Sequence, residues 1–108
     1  MKTTRTQRRE LIVEGPTYGS PGDETAFFTW LQAIPCVGKV VGRSTMLHIE
    51  LKRAPSNADL HELVGLLHRY RMDMTPLAAF KTARNAKWFA DPGMYWDIKI
   101  FGGRKKPR

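Results

Sequence analysis

The sequence predicts a single α+β domain in which short strands and amphipathic helices alternate along the chain. The segment TMLHIELK alternates apolar and polar residues with a period of two, as a half-buried strand does. The segment APSNADLHELVGLLHRYRMD has apolar residues at helical spacing behind a capping motif. The chain has 108 residues, of which 42% are hydrophobic and 26% charged, which is the size and composition of one globular domain.

A loop separates the first predicted strand from the first predicted helix. Residues 11–13 form a short apolar run, and the glycine- and proline-rich GPTYGSPG that follows predicts the end of a strand. The segment SPGDETAFFTWLQAIP predicts a helix that begins near Ser20 and ends at Pro35. Its buried face, defined by the spacing i, i+3, i+4 and i+7, holds Phe27, Trp30, Leu31 and Ile34.

The segment CVGKVVGRSTMLHIELK predicts a β-hairpin. With the turn at residues 43–44, Val41 lies opposite Met46, and Lys39 lies opposite His48, on the outer face. The inner face of this pairing holds Cys36, Gly38, Val40, Leu47, Ile49 and Leu51.

The second half of the chain predicts two helical segments and a last strand. Ser56 and Asp59 have the S-x-x-D spacing of a helix start, and the stripe behind them holds Leu60, Leu63, Val64 and Leu67. The segment TPLAAFKTARNAKWF predicts a further helix, with Pro76 near its start. After a turn at residues 91–93, MYWDIKIF alternates like a strand.

This order of elements predicts a ferredoxin-like split βαβ fold, βαββαβ, with an extra helical segment before the last strand. In such a fold the helices cover one face of the sheet and the other face is open. The sequence places Val37 and Val41 on that open face, together with Met46, Tyr95 and Phe101. A half-apolar open face suggests a partner. The predicted partner contacts are Val41, Met46, Tyr95 and Phe101.

The positive charge of the chain is concentrated at its ends. The formal net charge is +8, and eight of the 18 Lys and Arg residues lie in residues 1–9 and 104–108. We therefore expect a neutral domain over residues 10–103 between two basic, disordered tails. Such tails are typical of arms that bind nucleic acid, and also of solvated termini. The cations expected to contact phosphate groups are Arg5, Arg8, Arg9, Arg104, Lys105, Lys106 and Arg108.

A second candidate for phosphate contact lies inside the domain. Lys81, Arg84 and Lys87 recur every three residues, so one helix would carry them as a basic stripe just before Trp88 and Phe89. The alternative is the solvated face of an amphipathic helix. The predicted sheet does not match RNA-recognition motifs, since TMLHIELK contains no aromatic residue that would stack on a base.

No group of residues has the spacing of a catalytic or metal site. Cys36 is the only cysteine, so we expect a buried core thiol and no internal disulfide. His61 and His68 lie about 10.5 Å apart along one helix, too far to bind one metal ion. Gly65 lies between them and leaves a notch. We expect no cofactor and no metal. No apolar run approaches the roughly 18 residues of a membrane span, so no membrane contact is expected. The basic N-terminus is not followed by an apolar stretch of signal-peptide type, and the chain has a single cysteine, so a cytoplasmic location is the default expectation.

Three segments resemble small uncharacterised bacterial proteins of unknown function. These segments are FFTWLQAIPCVGKV, HRYRMDMTPLAAF and WFADPGMYWDIKIFG, and the resemblance extends over about residues 27–102, most of the domain. The resemblance is one of spacing, and it implies no site residues.

The sequence favours a small, soluble, non-enzymatic binding module that acts by protein–protein contact. Its partner would be another protein or a second copy, in the manner of an accessory, inhibitor or immunity-type factor. The alternative is a nucleic-acid-associated protein whose basic tails bind phosphate groups or another polyanion. An enzyme is a third hypothesis, and it would require His48, His61 or Cys36 to converge with a carboxylate.

Overall fold

A computed structural model describes residues 10–102, and it confirms the predicted α+β class. The predicted basic tails, 1–9 and 104–108, lie outside the described residues. None of the helices within residues 10–102 is long and apolar enough to cross a bilayer. The elements, in chain order, are β1 (Glu10–Glu14), α1 (Pro21–Ala33), β2 (Val37–Arg43), β3 (Met46–Leu51), α2 (Asn57–Arg69), a 3₁₀ helix (Thr75–Phe80), α3 (Ala86–Phe89) and α4 (Asp97–Phe101).

The three strands form one antiparallel sheet with β3 at its centre. Because β1 and β2 both run antiparallel to β3, they run parallel to each other, and α1 connects them. The strand β3 thus lies between the two parallel strands. Alternate residues of β1 and β3 contribute to the core, and each is at most 8% exposed: Leu11, Val13, Leu47, Ile49 and Leu51.

Both helix starts predicted from the sequence are confirmed. The Ser20 hydroxyl accepts a hydrogen bond of 3.1 Å from the Asp23 amide at the start of α1. At the start of α2, the Asp59 amide donates to the Ser56 hydroxyl at 3.1 Å, and the Ser56 amide donates to the Asp59 carboxylate at 2.9 Å. The predicted stripe of α2 is buried at Leu60, Leu63, Val64 and Leu67.

The strand predicted at residues 94–101 is wrong, because this segment forms turns followed by α4. The Gly93 amide donates to Asp91 Oδ1 at 2.8 Å, which closes a turn. The Met94 amide then donates to the Asp91 carbonyl at 3.1 Å, and the Asp97 amide to the Met94 carbonyl at 3.0 Å. These local bonds use main-chain groups that a strand would pair with a neighbouring strand.

Burial along the same segment follows the helical period. Trp96 and Ile100 are 6% and 3% exposed, whereas Ile98 between them is 69% exposed. A strand would have placed all three on one face. The ferredoxin-like pattern needs a fourth strand next to β1, and the segment predicted to supply it is helical. In the described residues the predicted order is therefore present up to the extra helical segment, and the last strand is replaced by α4.

The β2–β3 hairpin forms, but its turn differs from the prediction. Arg43 pairs with Met46, so the turn lies at residues 44–45. As a consequence, Val41 lies opposite His48 instead of Met46. Val41 and Met46 both remain half-buried.

A second prediction about the hairpin, the position of Val37, is wrong because β2 contains a β-bulge. The sequence pattern places Val37 on the open face, but Val37 pairs with Leu51 and is 3% exposed. The pairing is irregular between Val37 and Val40, and a bulge adds one residue to one strand, which reverses the alternation on its two sides. Within the bulge, the Lys39 amide donates to Glu50 Oε1 at 3.3 Å.

The helix predicted over residues 75–89 is divided into the 3₁₀ helix and α3. Asn85 is buried in the turn between them. Its Oδ1 accepts from the Thr82 amide at 2.8 Å, and its Nδ2 donates to the Phe80 carbonyl at 2.9 Å. These side-chain bonds replace main-chain bonds of a continuous helix, so the helix is interrupted here.

Candidate functional site

A cavity of about 870 Å³ lies at the C-terminal end of α2, next to α4, and is called the basic cavity below. Arg69 and Arg71 line it from the end of α2, and Lys99 lines it from α4. One carboxylate, that of Asp73, is also in the lining. The remaining lining residues are His68, Met72 and Met74. The lining therefore holds three fixed positive charges and one negative charge.

The way in which α2 ends determines the position of Arg71. The Arg71 amide donates to the His68 carbonyl at 3.1 Å, and the Met72 amide donates to the Leu67 carbonyl at 2.9 Å. This pair of bonds is a Schellman motif, whose left-handed residue is usually glycine. Arg71 occupies that place with φ at 57°. A side chain in this conformation costs roughly 1–2 kcal/mol, so the backbone at Arg71 is strained.

The cations of the basic cavity lack a carboxylate partner within the described part of the chain. Neither ion pair found within residues 10–102 involves Arg69, Arg71 or Lys99. Asp73 Oδ1 accepts hydrogen bonds from the Thr75 amide at 3.1 Å and the Thr75 hydroxyl at 2.8 Å, at the start of the 3₁₀ helix. Like charges around one cavity repel one another, so the cavity favours an anion.

An exposed aromatic ring lies beside the basic cavity. Tyr95 is 51% exposed, and its ring centroid lies 4.5 Å from that of His68, a residue of the cavity lining. The Tyr95 ring also meets the buried Trp96 ring edge to face at 5.0 Å. Met94 and Ile98, 38% and 69% exposed, add apolar surface in the same segment. A flat ring and a group of cations are thus adjacent.

The internal basic stripe predicted from the sequence does not form on one helix. Lys81 follows the 3₁₀ helix, Arg84 lies in the turn held by Asn85, and Lys87 belongs to α3. All three cations are exposed, and none lines the basic cavity. The other predicted phosphate contacts lie outside the described residues: Arg5, Arg8, Arg9, Arg104, Lys105, Lys106 and Arg108.

The four predicted partner contacts are divided between different parts of the molecule. Val41 and Met46 lie on the sheet, in β2 and β3. Tyr95 lies beside α2, and Phe101 packs edge to face on Phe89 at 5.2 Å. The prediction joined them through a last strand, and because that segment is helical, the four residues do not form one surface.

The open face of the sheet is mixed in character. Ile12 is 40% exposed in β1; the half-buried Met46 lies on the adjacent strand β3, and the half-buried Val41 lies on β2, across β3 from β1. His48 Nδ1 lies 3.5 Å from Glu10 Oε2. A shallow cavity of about 350 Å³ on this face is lined by Glu10, Lys39, Val41, Arg43, His48 and Glu50. Charged groups of both signs thus separate the apolar ones.

The two histidines of α2 have aromatic neighbours. The His61 ring stacks on the Trp88 ring, with centroids 4.0 Å apart and planes at 12°. The described residues contain no group of three His, Cys, Asp or Glu side chains that would hold a metal ion. A β-carbon on Gly65 would lie 3.7 Å from Trp30, so the expected notch is occupied by the Trp30 indole.

Cys36 is buried, as the sequence predicts. Burial, and after it the negative charge of Asp59, raise the pKa of the Cys36 thiol to about 11. The thiol is therefore protonated at neutral pH, where a cysteine nucleophile must be a thiolate.

The sequence pattern did not identify Arg69, Arg71 and Lys99 as a group. The motif HRYRMD contains the signal for the first two, because two arginines flank the end of a predicted helix. Lys99 had no such signal, because the predicted strand placed it away from α2.

Comparison of the chain with protein-family models, curated proteins and solved structures found no match.

Proposed function

We propose that the protein is a non-enzymatic binding protein whose basic cavity binds phosphate groups of a nucleic acid. The observation that carries this proposal is the convergence of Arg69, Arg71 and Lys99 on one cavity, without a carboxylate partner for any of them in residues 10–102. Phosphate groups placed among these cations replace the repulsion between the cations by attraction. Binding also releases counterions from the nucleic acid.

The chemistry of the side chains suits phosphate. A guanidinium group donates two parallel hydrogen bonds to phosphate oxygens, which Arg69 and Arg71 can each supply. The ammonium group of Lys99 adds a point charge from a different element of the fold. Arg71 takes a backbone conformation in which glycine is more favourable, and a strained residue at a cavity supports a role in binding.

The basic tails extend this proposal. Four cations lie in residues 104–108, and Arg104 follows Lys99 by five positions in the chain. Five residues span at most about 18 Å, so Arg104 can lie no farther than that from Lys99, and the three cations after it follow within a few residues. We propose that they contact phosphates adjacent to those in the cavity.

Salt-dependent binding tests the proposal. The probe is a fluorescein-labelled single-stranded oligonucleotide, and fluorescence anisotropy gives its affinity over a series of NaCl concentrations. A triple variant replaces the cavity cations (Arg69→Gln, Arg71→Gln, Lys99→Gln). The control variant has the same change in charge at exposed positions outside the cavity (Lys81→Gln, Arg84→Gln, Lys87→Gln).

The cavity variant should bind more weakly and depend less on salt. Each phosphate contact to a single strand contributes about 0.7 to the slope of log K against log[salt], so three lost contacts should reduce its magnitude by about 2. The control should reduce it by much less. Absence of binding at low salt, or equal losses in the two variants, would refute the proposal.

A second candidate function is protein–protein contact through the open face of the sheet. The observation that favours it is the 40% exposure of Ile12 on the same face of the sheet as the half-buried Val41 and Met46. A homodimer or another protein would cover these groups. Analytical ultracentrifugation and a pull-down, each with wild type and Ile12→Glu, test it. A monomer that retains no protein, or an Ile12→Glu variant that behaves like wild type, contradicts this function.

A further inference from the structure

Resting on the proposed function, we infer that the basic cavity selects single-stranded nucleic acid and that Tyr95 stacks on an unpaired base. In this arrangement Arg69, Arg71 and Lys99 hold phosphates of the same strand. Tyr95, a side chain outside the cavity lining, then determines the class of ligand that the basic cavity accepts.

The position of Tyr95 carries the inference. Its ring lies 4.5 Å from His68, which lines the basic cavity, and meets Trp96 edge to face at 5.0 Å. These two neighbours hold the ring in place, while about half of the side chain stays open to solvent (51% exposed). A held aromatic ring loses little conformational freedom when a base stacks on it.

A single strand fits an aromatic ring beside a group of cations better than a duplex does. A single strand presents flat bases and phosphates in alternation, and proteins that bind it combine cationic grooves with aromatic side chains. In a duplex the base faces are covered by their neighbours, so an exposed ring gains nothing unless a base leaves the stack. The cations alone would bind either form through phosphate.

An acidic protein segment is the competing occupant. Carboxylates would satisfy Arg69, Arg71 and Lys99, and the exposed Met94 and Ile98 would suit apolar side chains of a partner. Such a segment offers no regular series of flat rings for Tyr95. We therefore favour nucleic acid, and we include a polyglutamate as a competitor in the test.

The experiment compares four probes: an unstructured single-stranded oligonucleotide, its duplex with a complementary strand, heparin and polyglutamate. Heparin carries sulfate charges without bases. The 108-residue chain is assayed as wild type, Tyr95→Ala, Tyr95→Leu and Tyr95→Phe. Tyr95→Leu keeps apolar bulk against His68 and Trp96 without an aromatic face. Ile98→Ala, at a more exposed neighbouring position, is the matched control, and the melting temperature of each variant verifies folding.

We expect wild type to prefer the single strand to the duplex. Tyr95→Ala and Tyr95→Leu should each lower single-strand affinity by about 5- to 150-fold, the usual effect of losing one stacked base. Tyr95→Phe should stay close to wild type, as should Ile98→Ala. Heparin affinity should stay within about twofold for all four variants, since it depends on charge.

The experiment distinguishes failure of this inference from failure of the proposed function. If the cavity triple variant weakens every probe, but Tyr95→Leu weakens none or all of them equally, the inference is wrong and the proposed function stands. Competition by polyglutamate as effective as that by the oligonucleotide also overturns the inference. If the cavity triple variant changes no probe, the proposed function itself fails.

Discussion

The Trp96 indole donates a hydrogen bond of 2.7 Å from its Nε1 to the main-chain carbonyl of Phe89. Trp96 is 6% exposed, and its ring meets the Trp88 ring almost at right angles at 6.1 Å. This one buried side chain therefore ties the start of α4 to the end of α3. It also places Tyr95, the residue before it, on the surface beside His68.

The helical assignment of residues 97–101 predicts unequal effects for two isoleucines. Ile100→Ala removes a side chain that is 3% exposed and should lower the free energy of unfolding by about 2–5 kcal/mol. Ile98→Ala, at a side chain that is 69% exposed, should change it by less than about 0.5 kcal/mol. Urea denaturation followed by Trp fluorescence measures both. Similar losses for the two variants would favour the strand predicted from the sequence.

The left-handed backbone of Arg71 predicts that a glycine there stabilises the fold. Arg71→Gly removes the strain of φ at 57° and should raise the free energy of unfolding by up to about 1 kcal/mol. The same change removes one cation from the basic cavity, so binding to an oligonucleotide should weaken. Arg71→Ala, which keeps the β-carbon, is the control and should not be more stable than wild type. A destabilised glycine variant would contradict this account of the backbone.

Asp59 at the start of α2 is buried and has a lowered pKa. Burial alone raises the pKa of Asp59, but hydrogen bonds from the Ser56 amide and the Arg53 guanidinium outweigh burial and hold the pKa below its ordinary value of 3.8. Because the folded-state pKa lies below the unfolded one, the ionised carboxylate stabilises the fold above about pH 4. That stabilisation is lost as the pH falls through the folded-state pKa.

Asp59→Asn should therefore matter most at neutral pH. At pH 7 we expect the variant to lose about 1–3 kcal/mol of unfolding free energy, because a neutral amide is a weaker acceptor for the Ser56 amide and forms no ion pair with Arg53. Below about pH 4 the difference from wild type should shrink. Urea denaturation at pH 7 and at pH 3 measures this. A difference that grows in acid would show that the sign is wrong.

Cys36 should react slowly in the folded protein. With a pKa of about 11, the Cys36 thiol is almost wholly protonated at pH 8, and burial adds to the protection. Alkylation by iodoacetamide at pH 8, monitored by mass spectrometry, should be much faster in urea than in buffer. Rapid alkylation without urea would contradict the burial of this thiol.

Much of the fold could be predicted because local signals specify it. The capping residues Ser20 and Ser56 and the stripe of α2 depend on neighbours within a few positions, and the structure confirms them. The alternation of β3 likewise identifies its buried face. The register of the hairpin could not be predicted, since the bulge between Val37 and Val40 depends on contacts across strands.

The candidate site was less predictable than the fold. The sequence shows that Arg69 and Arg71 flank the end of a helix, but not that Lys99 lies beside them. Their proximity depends on the path of residues 90–99, which the buried Trp96 determines through its contacts with α3.

For residues 94–101, the local sequence pattern does not determine the secondary structure, and tertiary contacts do. Trp96 and Ile100 are four positions apart, and residues at that spacing share a face both in a strand and in a helix. The apolar pattern therefore determined that the two side chains are buried, but it was compatible with either structure. The exposure of Ile98 distinguishes a strand from a helix, because a strand would bury it together with Trp96 and Ile100. The turn at Asp91 and the bond from Trp96 to Phe89 leave Ile98 in solvent, and they make the segment a helix that brings Lys99 to the basic cavity.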